Sequence, residues 1–134
     1  MSCISFPYSQ LINLIAHHIS LIERFEKNKD DFFSLIFLKT DECNKKDIKD
    51  IIRKVLRNTD IITEYEKNYI ILLPYTDYNG AYKLLKEMQS FLDTLEKETI
   101  VTYPEDGKNA HELLYKLKDS VKSYYDKEIA TPIF

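Results

Sequence analysis

Three acids, one arginine–aspartate pair and a few isolated histidines and thiols are the groups in this chain that could do chemistry. Asp41, Glu42 and Glu66 are oxygen donors of the kind a hard divalent cation takes. Lys39 stands two positions before Asp41, and one carboxylate beside a lysine makes a poor Mg²⁺ site. Arg57 and Asp60 stand three positions apart. A guanidinium fork suits phosphate oxygens or the edge of a guanine base, and an aspartate accepts from base N–H groups. The same two residues also have an ordinary structural use, since an arginine complements a helix C-terminus and an aspartate readily begins a strand. His17 and His18 are adjacent on a helical pattern, so they point about 100° apart and cannot share a metal. His111 falls in the first turn of a helix and reads as solvated. Cys43 precedes a helix start, where a thiolate is favoured, but the sequence places no base beside it. Tyr65, Tyr69, Tyr75, Tyr78 and Tyr82 form a tyrosine-rich stretch. It reads either as a stacking surface for a base or partner, or as packing around a hairpin and the helix after it.

Composition sets the outer bounds. The 134 residues are 44% hydrophobic and 31% charged, with a formal net charge of −3, which fits one domain with a real core. Aromatic residues make up 13%, ten of them Tyr, which argues against disorder. There are two glycines, Gly80 and Gly107, too few and too far apart for a phosphate loop or a dinucleotide fingerprint. The acidic balance argues against a DNA partner. Cys3 and Cys43 have no metal-like spacing. No secretory signal opens the chain, and no apolar run approaches the roughly 20 residues needed to cross a bilayer. A cytoplasmic protein with reduced thiols and no membrane insertion is expected.

The groups must be positioned by elements whose order is legible. A helix is expected from Ser9, with Leu11, Ile12, Ile15, Ile19, Ile22 and Phe25 on its apolar stripe and Leu14 and Leu21 off it. Phe32 to Leu38 is an almost continuous apolar run, as in a strand covered on both faces. Asn44 is the expected cap of a second helix carrying Ile48, Ile51, Ile52, Val55 and Leu56. Strands around Asp60–Tyr65 and Tyr69–Leu73 flank Glu66-Lys67-Asn68, a turn without the Asn-Gly or Asp-Gly signal. Thr76 or Asp77 caps a third helix with Ala81, Leu84, Leu85, Met88, Phe91, Leu92 and Leu95 on its buried side. A strand over Thr99–Tyr103, a turn at Pro104 to Gly107 and a capping box at Asn109 to Glu112 lead into a last helix. The order is an α+β, ferredoxin-like βαββαβ core. It predicts a four-stranded antiparallel sheet with its crossover helices on one face, plus extra N-terminal and C-terminal helices. A single domain over residues 1–134 is expected, with the opening helix through 29, the core from 30 to 126 and a tail from 127 to 134.

The core resembles the GGDEF, or diguanylate cyclase, domain family. Val55 to Ile62 resembles the helix end and strand start before that family's signature hairpin, and Tyr69 to Pro74 the strand leaving it. Thr76 to Leu92 resembles the following helix, Tyr103 to Gly107 with Leu113-Leu114 the late turn and last helix, and Phe33 to Asp41 the first strand and its metal-binding end. The resemblance covers roughly residues 30 to 126 and implies an elaborated βαββαβ nucleotide-cyclase fold. It also implies where the chemistry would be and what is missing. The signature hairpin reads Glu64-Tyr65-Glu66-Lys67-Asn68-Tyr69, without the two glycines that let backbone approach a guanine nucleotide. Asn68 or Tyr69 falls where the family has its second acid, Lys39 where the first strand supplies an Asp, and Asp41 near the third acidic position. Arg57-Asn58-Thr59-Asp60 matches the RxxD of the family's inhibitory site, whose ligand is cyclic di-GMP.

These features predict a degenerate, catalytically inactive domain that binds or regulates, with no catalytic residue and no cofactor. The RxxD pair Arg57 and Asp60 is its candidate ligand site, and Asp41 a weak candidate for metal. In the resembled family a helix at the position of the first one links the domain to a sensor. With eight residues before it, no upstream sensor is expected in this chain, and Leu14 and Leu21 make that helix a candidate surface for a homodimer or a protein partner. The alternatives are a divergent active nucleotide enzyme using Asp41, Glu42 and Glu66 for metal, or a ferredoxin-like interaction domain with no link to nucleotides.

Overall fold

The computed structural model describes residues 4–25, 32–41, 43, 45–94 and 97–125. Among these residues there are five strands and four α-helices: β1 (Ile4–Pro7), α1 (Leu11–Phe25), β2 (Phe33–Leu38), α2 (Ile48–Val55), β3 (Ile61–Tyr65), β4 (Asn68–Pro74), α3 (Tyr78–Leu92), β5 (Ile100–Tyr103) and α4 (Ala110–Tyr125). One mixed sheet runs in the order β1-β3-β4-β2-β5. The β3-β4-β2-β5 part is antiparallel throughout, with Tyr65 opposite Asn68 in the hairpin and Phe33 opposite both Pro74 and Tyr103. This is the ferredoxin-like order expected from the sequence.

The expectation of a four-stranded, all-antiparallel sheet needs correction. Residues Ile4 to Pro7 form β1, which pairs in parallel with β3, Ile4 opposite Ile61 and Pro7 opposite Glu64. Four residues ending in proline carry too little pattern to announce a strand, and the pairing is set by a partner more than fifty positions away.

The apolar runs feed two separate cores because strand side chains alternate between faces. Phe33, Leu35 and Phe37 of β2 and Ile70 and Leu72 of β4 point to one face, where α1 contributes Leu11, Ile12, Ile15 and Ile19 and α4 contributes Leu113, Leu114, Leu117 and Val121. Ile36 and Leu38 of β2, with Ile71 and Leu73 of β4, point to the other, where α2 brings Ile52 and α3 brings Ala81, Leu85, Met88 and Leu92. The two crossover helices therefore share one face, as expected, and the first and last helices together cover the second. Every β2 and β4 residue is buried, so these strands read as continuous apolar runs.

Several local expectations shift. A 3₁₀ turn over Tyr8–Gln10 leads into α1, so the α-helix begins at Leu11 rather than Ser9. Phe25, placed on the buried stripe, is the last residue of α1 and is 68% exposed. The second helix starts at Ile48 with Asp47 in a left-handed conformation at its N-cap; Asn44, its expected cap, lies outside the described residues. In α3 the cap is Asp77, whose Oδ1 accepts from Gly80 N at 2.8 Å. Phe91 is exposed and borders a groove with Ile51 and Val55 of α2, and Leu95 lies outside the described residues. At α4 Asn109 Oδ1 accepts from Glu112 N at 2.9 Å, and Glu112 reaches back to Lys108 N rather than to Asn109 N.

Candidate functional site

The sequence-nominated residues fall at opposite ends of β3. Asp60 precedes the strand and the hairpin follows it, which separates the two places by roughly 16 Å at ordinary strand rise.

At the hairpin end, β3 and β4 are joined by Glu66 and Lys67 alone, with φ of 49° and 68°. Two successive positive φ values are the pattern of the turns that match strand twist, and glycine or asparagine usually supplies them. Here two long charged residues do, at about 1–2 kcal/mol each in intrinsic cost. What holds the turn is its attachment to the end of β2. Asn68 is fully buried, and its Oδ1 accepts from Thr40 N at 2.8 Å and Asp41 N at 3.0 Å. Its Nδ2 donates to Glu66 O at 3.4 Å, and Thr40 Oγ1 donates to Lys67 O. Asn68 is thus the clamp between the hairpin and the residues that follow β2.

Beside this clamp Lys39 Nζ lies 2.7 Å from Asp41 Oδ1, and 5.9 Å over the ring of Tyr125 at the end of α4. Asp41, the weak metal candidate, therefore faces an ammonium. Glu66 is exposed on the turn and Glu42 lies outside the described residues, so the three acids nominated together are not seen together. Among the described residues no group of three or more His, Cys, Asp and Glu side chains could hold a metal ion.

The tyrosines do not form the one cluster that their spacing suggested. Tyr65 packs on Tyr8 of the 3₁₀ turn with ring centroids 4.3 Å apart, on the α1–α4 face. Burial, the neighbouring Tyr65 and then Glu66 push the Tyr8 phenol upward. Tyr69 sits in the opposite core, and burial followed by Glu64 raises its pKa. Tyr75 follows β4 at the far end of the sheet, 67% exposed, and Tyr78 stacks on Tyr82 along α3. Alternation along β3 and β4 is what divides them.

At that far end Arg57 and Asp60 are brought together. Asp60 is fully buried and accepts from Arg57 N at 2.8 Å and from Arg57 Nη2 at 2.9 Å. Nη2 also donates to Pro74 O at 2.7 Å and to Thr76 Oγ1 at 2.9 Å. Ser34 Oγ donates to Thr76 O and shares a hydrogen bond with Thr102 Oγ1. The arginine thus ties the end of α2 to the start of β3 and the end of β4, and Thr76 passes the link on to Ser34 of β2, while the arginine side chain stays half exposed. The sequence points to the pair but offers Thr76 only as a helix cap and does not single out Ser34, because the small hydroxyls carry no spacing signal.

The remaining candidates have structural surroundings. His18 stands edge-on to Phe33, and burial followed by His17 lowers its pKa; His17 is exposed, and so is His111. Cys43 turns its Sγ to Leu92 O at 3.5 Å in the α2–α3 core. Cys3 lies outside the described residues. No helix among the described residues is long and apolar enough to cross a membrane.

No protein-family model matches the chain, and no curated protein matches it significantly. Its fold, however, is found in solved structures. The isolated GGDEF domain of TpbB (YfiN) from Pseudomonas aeruginosa superposes with a TM-score of 0.64 at 12% identity, over 87% of this chain and 84% of that one. A sensory box/GGDEF family protein from Caulobacter crescentus gives 0.68 at 14% identity, over 90% and 93%. At this identity the likeness establishes the fold, an α+β architecture shared with GGDEF domains.

Proposed function

We propose that this chain is a degenerate GGDEF-like module that works in the cytoplasm by binding, and does not condense nucleotides. The observation that carries the reading is the Lys39–Asp41 pair at 2.7 Å, at the end of β2 where the resembled family gathers its metal-binding acids. Phosphoryl transfer between nucleotides depends on divalent cations that bridge phosphates and neutralise developing charge. A lysine ammonium on Asp41, an asparagine or a tyrosine (Asn68 or Tyr69) where the resembled family has its second acid and side chains on the hairpin turn are a donor set that does not fit such an ion or the phosphates it carries. Glu64 and Glu66 add negative charge beside the turn, which repels them further. The test is incubation with GTP or ATP and Mg²⁺ or Mn²⁺, followed by chromatography. No dinucleotide and no pyrophosphate is the expected result, and formation of either sinks the reading.

Two binding modes follow from specific observations. The Arg57 fork is half exposed, and its Nη1 makes no hydrogen bond among the described residues, which favours cyclic di-GMP as a ligand of Arg57, with the buried Asp60 holding the fork in place rather than touching the ligand. Calorimetry with the dinucleotide should then give heat that Arg57→Ala abolishes; silence at high micromolar protein rejects this mode. The second mode is a protein partner or a second copy on α1, which buries one stripe in its own core and leaves Leu21 and Phe25 exposed. Light scattering that shows a monomer at high concentration, unchanged by Phe25→Glu, rejects the dimer.

A further inference from the structure

The end of β2 has an electrostatic arrangement of its own. Asp41 is three-quarters buried and Lys39 four-fifths, with 2.7 Å between Nζ and Oδ1. The ammonium is also backed by the Tyr125 ring at 5.9 Å, a distance at which the face of an aromatic ring attracts a cation. From the start of β4, Asn68 Oδ1 is turned to the amides of Thr40 and Asp41 and so is held by backbone donors. Any ion approaching Asp41 would meet a positive charge fixed to the chain and a carbonyl oxygen already engaged.

We infer that Lys39 is a tethered internal cation that occupies the electrostatic role of a divalent ion at the end of β2 and closes that position to metal. The inference rests on the reading that this end of the sheet is not a working metal centre, and it names the cause. A lysine suits the task because its ammonium is a compact point charge on a stem long enough to reach a neighbouring carboxylate. It needs no free ion, so the joint between β2 and the hairpin has the same geometry with or without divalent cations. Asn68 adds to this: its amide oxygen caps the two backbone amides and carries no negative charge of the kind a metal would need.

Removing the ammonium should therefore create what it excludes. Tb³⁺ emission sensitised by Tyr125, and the thermal midpoint in EDTA against Mn²⁺, read this directly. The wild-type chain should show no shift in midpoint with Mn²⁺ and only background emission from surface carboxylates. Lys39→Met combined with Asn68→Asp keeps the stem, removes the ammonium and supplies a second carboxylate, and emission above that background is expected, whereas Asn68→Asp alone keeps the ammonium and should stay at background. Lys39→Asp combined with Asn68→Asp should raise emission about tenfold and lift the midpoint by roughly 5–10 °C with saturating Mn²⁺. If the Lys39→Asp variant does not fold, the comparison of Lys39→Met/Asn68→Asp against Asn68→Asp alone decides. A wild-type midpoint that rises with Mn²⁺, or a folded Lys39→Met/Asn68→Asp variant no brighter than Asn68→Asp alone, overturns the inference. Nucleotide turnover by the wild-type chain would instead overturn the reading it rests on, and the two results are separate measurements.

Discussion

Asp60 holds Arg57 twice, once by the backbone amide at 2.8 Å and once by the guanidinium at 2.9 Å, and does so with its carboxylate fully buried. A buried carboxylate that loses its cation is left with an uncompensated charge, which costs more than the pair contributes. Arg57→Ala should therefore destabilise the chain by about 2–4 kcal/mol, tempered because the arginine itself is half exposed. Asp60→Asn, which still accepts from the Arg57 amide, should cost about 1–2 kcal/mol. Urea denaturation measures both, and a loss below about 0.5 kcal/mol for Arg57→Ala would mean that the arginine is not structural.

Asn68 is the second structural joint. Asn68→Ala strands the amides of Thr40 and Asp41 in a buried place and frees the turn at Glu66. A loss of about 2–4 kcal/mol is expected from unsatisfied buried donors. Asn68→Asp keeps the acceptor and should be milder. Equal losses in the two variants, read from denaturant midpoints, would contradict the clamp.

The turn itself is under conformational load that glycine would relieve. Lys67 has φ of 68° and contributes its backbone oxygen, not its side chain, to Thr40. Lys67→Gly should stabilise the chain by about 0.5–1 kcal/mol, the left-handed cost less the entropy glycine adds to the unfolded state. Nucleotide turnover should stay absent in this variant, because relaxing the backbone does not supply the missing acids. A lower thermal midpoint would show that the Lys67 side chain has a contact of its own.

His18 gives the fold a mild acid sensitivity. Burial and the adjacent His17 lower its pKa in the folded state, so the unfolded chain binds the proton more readily. The stability this confers is full above the unfolded value near 6.5 and is lost as pH falls through the folded value. The thermal midpoint should drop more between pH 7.5 and pH 5 in the wild type than in His18→Leu. Parallel curves would remove His18 from the account.

Much of the fold is legible in the residue order because secondary structure and burial share a period. The stripe at Leu11, Ile12, Ile15 and Ile19 and the runs at Phe33 to Leu38 and Tyr69 to Pro74 state helix, strand and two-sided burial without reference to the rest of the chain. The low glycine count also says by itself that no phosphate loop is present. The Arg57–Asp60 spacing is legible too, since a helix end and a strand start leave the two side chains on one short turn.

Tertiary structure decided whatever depends on partners distant in sequence. The parallel pairing of Ile4–Pro7 with β3 is one such case, and the sorting of Tyr65 and Tyr69 into opposite cores is another. Asn68 is the clearest. As a residue it is an unremarkable member of a polar turn, and only the return of Thr40 and Asp41 to its side makes its amide a structural cap. Periodicity reports which face a side chain takes. It does not report which backbone donors, or which ammonium, the fold will bring to meet it.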